Sequence, residues 1–220
     1  MKVRIYFKFK GRIIVLSPIT AQWDWLFILY ATIGSIVGAI VIGFLIYSSI
    51  KYKAKGEREP KDAPSLGKIP AERGTMKVAF VLTLIVAGIL FTITLGTMQT
   101  VDLIEKPPKG SLTIEVHAYQ WGWKFIYPNG KQVVGELRVP KNEVITFKVT
   151  SDDVFHNFGL IEFKVKGDAI KGKINTIWIK PSQAGVYTIQ CFELCGIGHS
   201  WMKGKMIVME PEDFDRWYAE

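Results

Sequence analysis

The sequence predicts a membrane-anchored, all-β protein in which two transmembrane helices precede one β domain. Two long runs without a charged residue lie in the first half of the chain, and short β-type runs separated by turns follow Pro107 and Pro108. A length of 220 residues with 49% hydrophobic content suffices for one soluble domain plus anchors. We therefore predict an N-terminal segment with a helical hairpin over residues 1–109 and a β domain over residues 110–220.

The two charge-free runs cover residues 25–50 and 78–101, which are 26 and 24 residues long. A helix needs about 20 residues to cross a bilayer. The first run is too long for the apolar region of a signal peptide, and no small-residue cleavage site follows it closely. Two buried helices of a soluble protein are the alternative. Neither run contains a carboxylate or a histidine, so neither predicts a haem ligand or a proton relay within the membrane.

Charge divides the chain by region. Residues 110–220 hold 13 basic and 13 acidic residues, so the net charge of +8 belongs to residues 1–109. Eight Lys or Arg residues lie from Lys51 to Lys77, and such loops stay on the cytoplasmic side. The basic residues ahead of the first run favour the opposite orientation but are fewer. Both termini and the β domain are thus predicted on the outer face of a prokaryotic plasma membrane, with the basic charge directed to membrane lipid and not to nucleic acid.

Short runs of β-type residues indicate the fold of the second part. Pro128-Asn129-Gly130 is a strong turn signal between two of them. About seven short strands in roughly 100 residues indicate a sandwich or a barrel. The tail from Pro211 begins with proline and acidic residues, which favours a short terminal helix. The predicted strands cover residues 112–119, 123–127, 133–139, 144–149, 174–179, 186–190 and 205–209.

A short segment between the last two predicted strands concentrates side chains that bind soft metals. It runs from Cys191 to Met202 and holds the only two cysteines of the chain, one of its three histidines and one of its six methionines. Thiolate and thioether ligands select copper over hard cations, and imidazole suits copper as well. The segment therefore predicts a soft-metal site built from Cys191, Cys195, His199 and Met202.

Three other interpretations of this segment stay open. A disulfide between Cys191 and Cys195 is feasible in an oxidising compartment, but it leaves His199 and Met202 unexplained. A tetrahedral zinc site could use both cysteines with His156 and His199, although zinc has no need of a thioether. A thioredoxin-fold copper chaperone carries a similar cysteine pair at the start of a helix, whereas β-type sequence flanks this pair on both sides.

The motif Cys-x-Glu-x-Cys-x3-His-x2-Met closely resembles the binuclear copper motif of subunit II of haem-copper oxidases of the cytochrome c oxidase type. Three further segments are similar to parts of that family in the same order. Residues 120–123 match its aromatic segment, 151–158 the segment with the remaining histidine, and 168–175 its Asp-Ala-x-Pro-Gly-Arg-x-Asn loop. With the two helices, the resemblance covers most of residues 25–210, and it implies a cupredoxin-type Greek-key β-barrel for the β domain.

The resemblance also implies a binuclear copper A site with two copper ions. Both cysteine sulfurs would bridge the ions, each histidine would bind one of them, and the thioether and one backbone carbonyl would be weak ligands. The side chain of the residue with that carbonyl would reach a magnesium or manganese ion at the border with subunit I. Carried over, these ligands are Cys191, Cys195, His156, His199, Met202 and the carbonyl oxygen of Glu193.

His156 and Trp121 each have a structural alternative. A lone histidine at a strand end is more often a surface or core residue than a ligand. Two copper ions need two imidazoles, however, and the competing His117 falls on the same face as Thr113 and Glu115 in an alternating strand. The family residue that matches Trp121 is the surface contact through which electrons arrive, whereas an aromatic residue in a strand is usually core.

The function implied by the resemblance is that of the subunit through which electrons enter a respiratory terminal oxidase. An external carrier, cytochrome c or a small copper protein, would supply single electrons that pass to haem in subunit I, where oxygen is reduced. This chain would be a non-catalytic, electron-transfer part of that oxidoreductase complex. The alternatives are the equivalent subunit of a nitric oxide reductase and a copper-free quinol oxidase subunit, which the full ligand set opposes. Glu72 weakly matches a family glutamate near a proton path, and an ordinary loop residue is its alternative.

Overall fold

A computed structural model of the chain describes residues 8–9, 12–13, 16–53 and 76–220. It confirms the predicted class, two long apolar helices followed by a mostly β domain. Glu72 and most of the basic loop between the helices lie outside the described residues. The helices are α1 (Pro18–Lys51), α2 (Met76–Glu105) and α3 (Pro211–Ala219), and a short antiparallel pair, β1 (Lys8–Phe9) and β2 (Arg12–Ile13), precedes α1.

Both membrane helices extend beyond the charge-free runs that predicted them. α1 begins at Pro18, and a proline suits the first turn because its missing N–H would have no helical partner there. α2 continues to Glu105 and so includes Asp102. Charge-free length therefore underestimates helix length, since charged residues can prolong a helix outside the hydrocarbon layer. Most apolar side chains of both helices between residues 26 and 97 are exposed, as expected of surfaces that contact lipid.

The chain divides into two compact units, residues 26–97 and residues 1–25 with 98–220. In the first, the hydroxyl groups of Tyr30 and Thr97 are 2.6 Å apart and form a hydrogen bond between the helices. In the second, the Thr20 hydroxyl donates to the Phe163 carbonyl oxygen at 3.0 Å, and the Trp178 indole donates to the Leu103 carbonyl oxygen at 2.9 Å. We propose residues 110–220 as the β domain proper, as the sequence predicts.

The β domain consists of two five-stranded sheets. Its strands are β3 (Leu112–Tyr119), β4 (Gly122–Ile126), β5 (Gln132–Val134), β6 (Glu136–Pro140), β7 (Ile145–Ser151), β8 (His156–Leu160), β9 (Val165–Ala169), β10 (Asn175–Ile179), β11 (Gly185–Cys191) and β12 (Lys203–Met209). One sheet has the order β10-β7-β3-β4-β5 and the other β6-β12-β11-β8-β9. The pairs β3–β7 and β6–β12 are parallel, and the other neighbours are antiparallel.

The observed strands differ from the prediction at β5 and β6 and at β8, and β9 was not predicted either. The single strand expected over residues 133–139 is wrong, because β5 and β6 belong to different sheets. Gly135 separates them with a φ of 74°, a conformation that glycine adopts without a steric penalty. β8 was not predicted because it contains His156, Asn157 and Gly159, so it is not an apolar run although all five of its residues are buried.

The core contains an aromatic cluster to which both sheets contribute. Phe158 of β8 packs edge-on against Trp123, Phe125 and Phe147 of the other sheet, with ring centroids 5.2, 6.2 and 5.6 Å away. All four side chains are fully buried. Because Phe158 lies two residues after His156 on the same strand, this packing fixes the position of the predicted histidine ligand.

Candidate metal centre

Three neighbouring segments of one sheet bring the predicted ligands together. β8 begins with His156, β11 ends with Cys191, and Cys191 is paired with Phe158 in the register of these two strands. A loop with Cys195 and a 3-10 helix (His199–Trp201) then lead to Met202 and β12. The Cys191 N–H donates to the Met202 carbonyl oxygen at 3.1 Å, which closes this loop onto itself.

The donor atoms form one compact cluster. The two Sγ atoms of Cys191 and Cys195 are 3.8 Å apart. Nδ1 of His156 lies 3.9 Å from the Cys191 Sγ, and Nδ1 of His199 lies 3.6 Å from the Cys195 Sγ. The Met202 Sδ is 3.7 Å from the Cys195 Sγ. Each thiol therefore has one imidazole beside it, and the thioether is on the Cys195 side.

Burial and thiol chemistry of the cluster suit a metal site. His156, Cys191, Cys195 and Met202 are at most 3% exposed, while His199 is half-buried. Both cysteines are free thiols, so the structure does not contain the disulfide considered above. Burial, followed by the neighbouring Cys191, raises the pKa of Cys195 to about 12. A metal ion that binds here must therefore displace the thiol proton.

The carbonyl oxygen of Glu193 also belongs to the cluster. It accepts a hydrogen bond from the Cys191 thiol at 3.2 Å. The Glu193 side chain is half-buried and joins no second group of three or more candidate metal ligands among the described residues. The magnesium or manganese role predicted for this side chain thus stays a prediction about the border with subunit I.

Trp121 and Trp123 have different environments although they are two residues apart. Trp123 is fully buried, whereas Trp121 is 41% exposed. The Trp121 Nε1 donates to the Cys195 carbonyl oxygen at 3.0 Å. A side chain at Gly198 would place its Cβ 2.3 Å from the Trp121 ring, so glycine is what allows the indole to lie against the loop. Trp121 is therefore a surface residue in contact with the ligand loop, and the core alternative applies to Trp123.

His117 lies outside the cluster, as the strand alternation predicts. It is in β3, and its Nδ1 is 2.7 Å from Oδ1 of Asp152. The hydrogen bond from His117 lowers the pKa of Asp152 below its usual value. His117 is thus hydrogen-bonded to a carboxylate and is not a member of the donor cluster.

Two contacts of the cluster were not predicted. The Gln120 Nε2 donates to the Cys195 carbonyl oxygen at 2.8 Å, beside the bond from Trp121. The Asp153 carboxylate accepts a hydrogen bond from the His156 Nε2 at 2.8 Å. Neither residue type is distinctive in a single sequence, and only the position of Asp153 three residues before His156 could have suggested its contact.

The chemistry of the donor set fits copper. Two thiolates, two imidazoles and a thioether are ligands that copper accepts together. A structural zinc site would use four of these donors and would leave the thioether of Met202 without a role, although it is fully buried and 3.7 Å from a thiol.

Fold and site define a membrane-anchored β protein with a buried cluster of soft-metal donors. Residues 129–210 match the family described as cytochrome C oxidase subunit II, periplasmic domain. The heme-copper oxidase subunit 2 of Aeropyrum pernix is 39% identical over 211 residues, which cover 90% of this chain and 88% of that protein. The probable cytochrome c oxidase subunit 2 of Rickettsia bellii is 30% identical over 216 residues, 88% of this chain and 76% of that protein.

A solved structure is similar as well. The periplasmic domain of subunit II of the Bradyrhizobium japonicum cytochrome oxidase is 38% identical, covers 51% of this chain and 94% of that one, and has a TM-score of 0.49. From the matches to full-length relatives, the chain belongs to the subunit II family of haem-copper oxidases. This confirms the resemblance found in the sequence. The chain is a two-pass membrane subunit of such an oxidoreductase complex.

Proposed function

We propose that single electrons enter a haem-copper oxidase through this subunit and that its cluster holds two copper ions. The observation that carries the proposal is the pair of thiols 3.8 Å apart, each with one imidazole beside it. Copper bound there would accept and release single electrons and would not make or break bonds in a substrate. Membership of the family supports subunit I as the partner that receives the electrons and reduces oxygen.

In this proposal Cys191, Cys195, His156 and His199 would hold the two copper ions. Met202 and the Glu193 carbonyl oxygen would be weaker ligands. Four of the side chains are already buried and are held by strand ends and by the closed loop. Burial keeps water away from the cluster, and the prior order of the donors keeps rearrangement small when an electron arrives or leaves.

Trp121 is the residue through which we propose that the electron arrives. Its ring is exposed on one side and donates to the backbone of a ligand residue on the other. The external carrier would be cytochrome c or a small copper protein that docks over this ring. The Glu193 side chain would bind magnesium or manganese together with subunit I.

The proposed orientation places both termini and the β domain outside the membrane. A cysteine at Ser65, in a chain whose native cysteines are protected by copper, should react with a membrane-impermeant reagent only after cell lysis. A cysteine at Ser182 in the β domain is the control, which should react in intact cells from which any outer membrane has been removed. Labelling of the Ser65→Cys chain in intact cells would place the β domain in the cytoplasm and exclude an external donor.

The experiment that tests the copper centre uses the full chain in its complex. The parent should bind two copper ions per subunit in this cluster and show one unpaired electron shared by both in electron paramagnetic resonance. His156→Ala should abolish or localise that signal, because it removes the donor beside Cys191. His117→Ala is the matched control and should keep the shared signal. A parent signal that persists in His156→Ala would show that His156 is not a ligand.

A further inference from the structure

Asp153 lies between the His156 imidazole and the backbone just ahead of Trp121. One carboxylate oxygen accepts from the His156 Nε2 at 2.8 Å and from the Val154 N–H at 2.6 Å. The other accepts from the Gln120 N–H at 2.7 Å. We propose that Asp153 is a positioning residue that sets the tautomer and orientation of His156 and couples this ligand to the segment where electrons enter.

The first part of the proposal follows from the donor and acceptor roles. An ionised carboxylate only accepts, so the hydrogen of a neutral His156 imidazole must be on Nε2. The lone pair is then on Nδ1, the nitrogen that faces the Cys191 Sγ at 3.9 Å. The carboxylate thereby leaves free the one nitrogen that can bind a metal in this cluster, as second-layer carboxylates commonly do for metal-binding histidines.

The second part follows from the bonds that continue beyond Gln120. Its side-chain Nε2 and the Trp121 Nε1 both donate to the carbonyl oxygen of Cys195, at 2.8 and 3.0 Å. A continuous set of hydrogen bonds therefore joins His156, on the Cys191 side of the cluster, to the loop that carries the other thiol. Loss of the Asp153 carboxylate would loosen both ends of this connection.

The two imidazoles of the cluster differ in whether a carboxylate is hydrogen-bonded to them, and His156 is the one that has such a partner. Among the described residues, no carboxylate contacts His199, which is half-buried. A hydrogen bond to a carboxylate makes an imidazole a stronger donor to its metal. The proposal rests on the proposed copper centre, and there the stronger donor would stabilise the more oxidised state. Removing the negative charge of Asp153 should therefore raise the reduction potential.

The test compares Asp153→Asn with Asp152→Asn in the assembled oxidase. Both variants remove one carboxylate charge from adjacent residues, but Asp152 contacts His117 and not the cluster. Copper affinity is measured by competition with a chelator, and the potential by redox titration of the copper absorption. We expect Asp153→Asn to bind copper about 10- to 100-fold more weakly and to have a higher potential. Asp152→Asn should match the parent in both, and equal values in all three proteins would overturn the proposal.

A second measurement separates positioning from a general loss of folding and does not need copper. The chain has three histidines, so their side-chain nitrogen resonances can be assigned in the metal-free full chain. We expect the hydrogen of His156 on Nε2 in the parent and a mixture of tautomers in Asp153→Asn, at a thermal midpoint close to that of the parent. His156 with its hydrogen on Nδ1 in the parent would overturn the proposal, whether or not the chain binds copper. A lower midpoint with an unchanged tautomer would show a merely structural role and would also overturn it.

Discussion

The two segments that meet at the cluster are built in different ways. The upstream segment, residues 151–158, runs into a strand that is buried on both faces and packed into the aromatic core. The downstream segment, residues 191–202, is a loop closed by its own backbone bonds, and its apolar side chains Leu194, Ile197 and Trp201 are 77–85% exposed. Most of the donors belong to the downstream segment, while the packing into the aromatic cluster belongs to the upstream one. In this domain, therefore, the segment that contains most of the metal-binding side chains is not the segment that packs into the aromatic core.

The contrast between the two segments can be tested by measuring stability. Phe158→Ala should lower the free energy of unfolding by about 3–5 kcal/mol, because it leaves a cavity among three buried aromatic rings. Leu194→Ala, on the downstream loop, should change it by no more than about 0.5 kcal/mol, since the side chain is 77% exposed. Denaturant unfolding of the copper-free full chain in detergent, followed by tryptophan fluorescence, measures both. Similar losses of unfolding free energy in Phe158→Ala and Leu194→Ala would show that the two segments do not differ in their contribution to stability.

The same contrast explains what the sequence could predict about the site. The downstream ligands lie within twelve residues, so their spacing alone indicated a soft-metal site. His156 lies 35 residues away from Cys191, and its inclusion depended on the family resemblance. Pairing between β8 and β11 is a long-range event that residue spacing does not encode. The contact of Gln120 with Cys195 could not be predicted for the same reason. Asp153 lies only three residues before His156, and that spacing was the one local signal for its contact.

The fold was predictable to the extent that local patterns determine it. The helices follow from apolar length, and β3 has the predicted bounds because its residues alternate between buried and exposed faces. The break at Gly135 was missed because the residues on both sides favour strands, and only the chain's passage from one sheet to the other reveals it. β9 was missed because Gly167 and Asp168 are uncommon within strands.

An intermediate effect is expected at Trp121, which contacts the downstream segment through the Cys195 carbonyl oxygen. Trp121→Gln should leave copper content, spectrum and thermal midpoint near those of the parent, because the ring is 41% exposed. Electron transfer from the natural carrier should fall by about tenfold or more, which corresponds to roughly 1.4 kcal/mol or more in the barrier. Stopped-flow reduction of the copper centre measures the rate.

Two controls sharpen this prediction. A small diffusible reductant can approach elsewhere and should be affected far less by Trp121→Gln. Trp201→Gln removes a tryptophan that is 77% exposed on the downstream loop, and it should slow the natural carrier less than Trp121→Gln does. Equal losses with both reductants in a well-folded Trp121→Gln protein would mean that the electron does not arrive through this ring.

The weakest predicted effect concerns Asp152, which lies near the start of the upstream segment and is hydrogen-bonded to His117 of β3. It tests whether this pair also stabilises the fold. The hydrogen bond from His117 lowers the pKa of Asp152 from its usual 3.8. A lowered folded-state pKa means that the pair stabilises the fold above about pH 4 and that this contribution is lost as the pH falls through the folded-state pKa. Because Asp152 is 44% exposed, the pair should be worth only about 0.2–1 kcal/mol. Asp152→Asn should therefore unfold more easily than the parent at neutral pH, and denaturant titrations at constant ionic strength should show the gap closing in acid. If the parent and Asp152→Asn differ in unfolding free energy by the same amount at neutral and at acidic pH, the difference comes from packing and not from the ion pair. In that case only β8 and Asp153 would anchor the upstream segment.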